Sequence, residues 1–151
     1  MRRLGTMEKR MLFYHFITKI QMIIMMISFV WSGLVYFRGT VYGLVGNTDT
    51  QALYNQHPFL SVLDKAHGIA LIAMAISAYV IRKQLIEKKK TGPKNYLTLL
   101  LLAAAETGIY SLASGVITKT TEMSSMSYLL FVLLYFFLCL YYFKSISSFF
   151  Y

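Results

Sequence analysis

Glu106 is the residue whose setting most demands an explanation. It sits near the middle of a long apolar run, about 18 Å of helix away from Lys94. A lone carboxylate at such a depth costs about 2.5–3.5 kcal/mol on membrane-insertion scales, so it must be protonated, paired or turned towards water. Two roles suit it. One is a proton or cation site; the other is a structural acid making a single interhelical hydrogen bond.

Three more ionisable residues fall in the outer third of another apolar run: Asp64, Lys65 and His67. Asp64 and His67 are spaced to share a helix face, while Lys65 points to the other side. His67 lies about 22 Å of helix from Arg82, a depth similar to that of Glu106, so either His67 or Lys65 can reach Glu106 between adjacent helices. The expectation for Asp64 and Lys65 is that they snorkel to the outer headgroups. For His67 an interfacial role and a functional one stay open.

Other chemistries find little support. Cys139 is the sole cysteine, which excludes an internal disulfide and any CxxC redox pair. His15 falls at one membrane edge and His57 and His67 towards the other, so no bis-histidine haem is expected. Met22, Met25 and Met26 cluster without Cys or His and read as flexible packing rather than a metal path. No phosphate-loop, dinucleotide, zincin or serine-nucleophile pattern occurs. The expectation is therefore no cofactor, no metal and no catalytic residue.

The elements that must position these side chains are membrane helices. Of the 151 residues 57% are hydrophobic and only 14% charged, and the mean hydropathy is +0.55. A soluble domain of this size needs more charge to cover its surface. The apolar residues fall in runs close to the length that crosses a bilayer. The fold class expected is all-α: one integral membrane domain, an antiparallel four-helix bundle. Its spans fall at about 19–37, 59–81, 96–117 and 127–143, and an amphipathic lead-in from Met11 precedes the first. The first apolar stretch is too long for a cleavable signal and should remain as an anchor.

Between the first two spans, Gly39, Gly43, Gly46 and Asn47 suggest turns, and Val41, Tyr42, Leu44 and Val45 suit a membrane interface. Pro58 fits the first turn of the second span. Thr91-Gly92-Pro93 reads as a helix stop and restart.

The formal net charge is +9, from 15 Lys and Arg against 6 Asp and Glu. No water-soluble basic surface is available to dock nucleic acid, so the charge is assigned to membrane topology. Eleven basic residues fall in the N-terminal segment, the middle loop and after the last span, against three on the other side. That bias places both termini in the cytoplasm, N-in and C-in, in a bacterial-type plasma membrane. Arg82, Lys83, Lys88, Lys89, Lys90 and Lys94 are expected to contact anionic lipid.

Small residues form two stripes at helical spacing: Ala66, Ala70, Ala73 and Ser77 on the second span, and Ala104, Gly108, Ser111 and Gly115 on the third. Such stripes let helix backbones approach closely in lipid. Glu106 lies nearly opposite the stripe on its own helix, and a four-helix monomer is not expected to cover both faces. This predicts a homo-oligomer or a membrane partner subunit. The leading functional expectation is a non-enzymatic accessory or immunity-type subunit that works by helix packing. The alternative is a small proton-coupled transporter or channel using Glu106 and His67.

Overall fold

The computed structural model describes residues 11–42, 49–119 and 123–150, with side chains throughout except at 123–128. The chain is all-α; among the described residues there is no strand. Helix α1 spans Met11–Phe37 and contains a π turn at Ile17–Gln21. A short helix α2 (Thr50–Gln56) precedes α3 (Pro58–Ile86), α4 (Thr91–Thr118) and α5 (Met123–Ser145), and a 3-10 turn at Ser147–Phe149 follows. α1, α3 and α4 are long and apolar enough to cross a membrane, and α5 contributes an apolar helical stretch, Leu129–Ser145. The chain is an integral membrane protein by this measure.

The long helices pack in chain order: α1 on α3, α3 on α4, and α4 on α5. α1 and α5 also meet through Phe13 and Tyr142, whose rings stand edge to face at 4.7 Å. The apolar core gathers in the half of the bundle that carries the chain's basic residues. There Ile17, Met22, Leu85, Tyr96 and Cys139 are completely buried. Tyr14 closes this end by donating its hydroxyl hydrogen bond to the Leu85 carbonyl, which also accepts the Lys88 N–H at 2.9 Å where α3 stops.

Helix boundaries follow local chemistry. Pro58 occupies the first turn of α3, where its missing N–H costs nothing. Asp49 caps α2 by accepting the Gln51 N–H at 3.0 Å. The middle loop is shorter than its composition suggests. α3 runs on to Ile86, and Thr91, Gly92 and Pro93 form the first turn of α4 rather than a break. Gly92 is needed there because a Cβ would come within 3.2 Å of the Leu85 backbone nitrogen. Of the loop between the first spans, Gly39 makes its turn at φ +67°. Gly43, Leu44, Val45, Gly46 and Asn47 lie outside the described residues, as do Arg2, Arg3, Lys9 and Arg10.

The closest helix crossing is between α1 and α3. A Cβ on Gly33 would lie 2.8 Å from the Gly68 carbonyl, and one on Gly68 would lie 2.7 Å from the Gly33 carbonyl and 2.8 Å from the Phe37 nitrogen. These are backbone atoms, which cannot move aside as a side chain can. The α3 stripe expected to mediate packing is turned away from this crossing. Ala66, Ala73 and Ser77 are exposed and Ala70 half-buried, because the α3 face that packs carries Leu60, Asp64, His67, Gly68, Leu71, Ala75 and Ala78. The α4 stripe does face a neighbour: Ala104 is buried, and the Gly108 position lies against Leu129 of α5. Ser111 and Gly115 are half-buried.

Candidate functional site

Asp64 and His67 on α3, one helical turn apart, face Glu106 and Tyr110 on α4, also one turn apart. Spacings of three and four residues put each pair on one helix face, and the antiparallel helices match them rung to rung. On one rung His67 Nδ1 contacts Glu106 Oε1. On the other the Tyr110 hydroxyl donates to Asp64 Oδ1 at 2.8 Å. The Tyr110 ring also lies flat against the His67 imidazole, 4.0 Å between centroids and 15° between planes.

The glycine crossing brings α1 into the same site. With Gly33 against Gly68, the Tyr36 ring reaches the other side of His67, edge to face at 4.5 Å. His67 is thereby held by two aromatic rings and a carboxylate and is only 7% exposed. From the segment between α1 and α3, Tyr54 on α2 donates to Asp64 Oδ2 at 2.7 Å and Tyr42 to Oδ1 at 3.4 Å.

Asp64 is accordingly a fully buried acceptor of three tyrosine hydroxyls from the loop, α2 and α4. This corrects the expectation that it snorkels to headgroups. The tyrosines offer it hydrogen bonds that cost less than extending a short side chain past a covered surface. Lys65, on the far side of α3, is exposed. For Tyr42 and Tyr54 burial pushes the phenols well above their usual range, and the adjacent Asp64 carboxyl adds to the rise, opposed at Tyr42 by a hydrogen bond with Tyr110.

Glu106 differs from Asp64 in being incompletely satisfied. Its side chain is 22% exposed, yet Oε2 is buried and has no hydrogen-bond partner among the described residues. A carboxylate oxygen in that state is costly. A contact between an imidazole nitrogen and a carboxylate oxygen also needs a proton on one of them, so the pair is a ready proton donor and acceptor. Among the described residues no three His, Cys, Asp or Glu side chains converge as metal ligands do.

Compared with protein-family models, curated proteins and solved structures, the chain has no match. Its own geometry is therefore the guide to its chemistry.

A second polar knot, not anticipated from sequence, lies in the basic half. Gln21 Oε1 accepts the hydroxyls of Tyr96 at 2.9 Å and Tyr135 at 2.6 Å, joining α1, α4 and α5. Gln21 ends the π turn. Beside it, the Thr18 carbonyl accepts Arg82 Nε at 2.8 Å. A π turn loosens the helical ladder and frees carbonyls for such partners. Arg82 is half-buried and turns its Nε into the bundle. Lys88 is also engaged within the chain, its Nζ standing 4.1 Å over the Phe149 ring. Lys83 and Lys89 lie near Glu87, at 4.0 and 2.8 Å, and the Lys89 contact holds the Glu87 carboxyl below its usual range. Lys90 and Lys94 are exposed.

Both faces of α4 are covered within one chain, since Glu106 meets α3 and Gly108 meets α5. The expectation that one monomer leaves one of them bare does not hold. α3 lies between α1 and α4, and α4 between α3 and α5, so α4 has a protein neighbour on each side.

Proposed function

We propose that the chain is a four-span membrane protein, N-in and C-in, that moves a proton through its His67–Glu106 pair as a small proton-coupled transporter or channel. One observation carries this reading: an intramembrane acid rests against a histidine while its second oxygen is buried and unpartnered among the described residues. Structural acids are ordinarily satisfied as Asp64 is, and an acid left short of partners is suited to accept a proton or cation in another state. The basic-residue bias supports the topology, and would set the pair towards the outer side of a plasma membrane such as a bacterial one.

The test is proton movement in liposomes containing the purified protein and a pH-sensitive dye, with an imposed pH gradient. Glu106→Gln keeps shape and hydrogen-bonding capacity but cannot ionise. The expected result is lost gradient dissipation with unchanged helix content and elution volume. A Glu106→Gln protein that dissipates the gradient as fast as the wild type would defeat the proposal.

The second reading, an accessory or immunity-type subunit, rests on Ala66, Ala73 and Ser77, the exposed members of the α3 stripe. Small exposed residues at helical spacing suit a close approach by another transmembrane helix. Ala66→Leu and Ala73→Leu would release such a partner and leave proton movement untouched.

A further inference from the structure

We infer that the groove between α4 and α5 at the basic end seats one anionic phospholipid. The groove is open along its length and offers about 510 Å³. Its mouth is set by Lys90, Lys94 and Lys144, and its wall is apolar, with Leu101 from α4 and Phe136 and Leu140 from α5. All three lysines are exposed, and among the described residues none forms an ion pair with an acid. At this end of the described chain Glu87 is held by Lys83 and Lys89, so the groove's three charges lack an anion of their own.

The dimensions match a lipid rather than a soluble anion. From Lys94 to Leu101 and from Lys144 to Phe136 the apolar wall runs about 10–12 Å along each helix. The cations therefore sit at the depth of a headgroup phosphate, and the leucines and phenylalanine at that of the upper acyl chain. A free phosphate would use the mouth and gain nothing from the wall. The inference is independent of the His67–Glu106 pair, which lies in the other half of the bundle.

The experiment is native mass spectrometry of the full chain in mild detergent, titrated with dioleoyl phosphatidylglycerol or dioleoyl phosphatidylcholine. One phosphatidylglycerol is expected to be retained in preference to phosphatidylcholine. The triple variant Lys90→Gln, Lys94→Gln, Lys144→Gln should bind it roughly tenfold or more weakly. Lys83→Gln with Lys89→Gln removes the same kind of charge outside the groove and should change retention by less than about twofold. Leu101→Trp fills the wall while leaving the lysines intact and should also expel the lipid. Equal weakening by the Lys83/Lys89 variant would reduce the effect to diffuse charge and overturn the proposal. Unchanged retention by Leu101→Trp, or displacement by equimolar glycerol phosphate, would overturn it as well.

Discussion

Asp64 and Glu106 are both carboxyl groups at membrane depth, yet their surroundings assign them different work. Three hydroxyls complete Asp64, whereas Glu106 has one imidazole and an oxygen to spare. Asp64 should thus be read as the knot that fastens the loop to α3. Tyr54→Phe removes its shortest hydrogen bond and should cost about 1–3 kcal/mol, the penalty for leaving a buried acceptor short of a partner. Thermal unfolding in detergent checks this, and an unchanged midpoint would remove Asp64 from the stability argument. The same knot carries a pH dependence. The Tyr54 phenol is raised above the ordinary value of 10.0 by burial and by Asp64. Its contribution to stability is therefore complete below that ordinary value and is lost as pH rises above it. The tyrosinate difference spectrum between wild type and Tyr54→Phe should show this group titrating later than a free phenol. The depth of Glu106 and its reach to His67 were legible from residue spacing alone. The three tyrosines were not, because Tyr42 and Tyr54 come from the segment between the first two spans, whose path no periodicity fixes, and Tyr110 is one of many aromatic residues in apolar runs.

At the scale of helices, three long apolar helices were legible from run length, and α3 and α4 run past the expected ends of their apolar stretches. α3 continues to Ile86 and α4 begins at Thr91, since long cationic side chains tolerate a helix that emerges from the apolar layer. Which face packs was less legible. The alanine stripe on α3 looks like a packing face in sequence, but two single glycines, Gly33 and Gly68, bring backbones within van der Waals contact. Alanine leaves a Cβ in the way; glycine does not. Gly68→Ala should therefore force α1 from α3 and cost about 1–3 kcal/mol as an overpacked contact. It should also pull Tyr36 off His67, because the crossing sets that ring contact. Gly108→Ala is the control: its Cβ would meet Leu129 at 3.5 Å, an ordinary contact, and should be close to neutral. Thermal midpoints of the two variants decide the matter. Equal values would mean that the α1–α3 crossing can open without cost.

Over the whole molecule, polarity is divided along the bundle axis. Buried apolar side chains and the Gln21 knot occupy the basic half, and the acid, histidine and tyrosine cluster occupies the half beneath the loop and α2. The division makes topology a functional matter, because it decides which side of the membrane lies nearer to Glu106. The net charge of +9 and its uneven distribution argue that the basic half faces the cytoplasm, where anionic headgroups and the insertion machinery favour Lys and Arg. Cysteine placed at Gln51 on α2 or at Thr91 at the start of α4 tests this directly, since both side chains are exposed and sit at opposite ends of α3. The native Cys139 is buried and should add little background. On intact cells an impermeant maleimide should label the Gln51→Cys protein and spare the Thr91→Cys protein until the membrane is broken. With that pattern the His67–Glu106 pair lies nearer the outer face, and the Asp64 knot stands between it and that side. Labelling at Thr91→Cys with protection at Gln51→Cys would invert the molecule, set the pair near the cytoplasmic face, and turn the proposed lipid groove towards the outer leaflet.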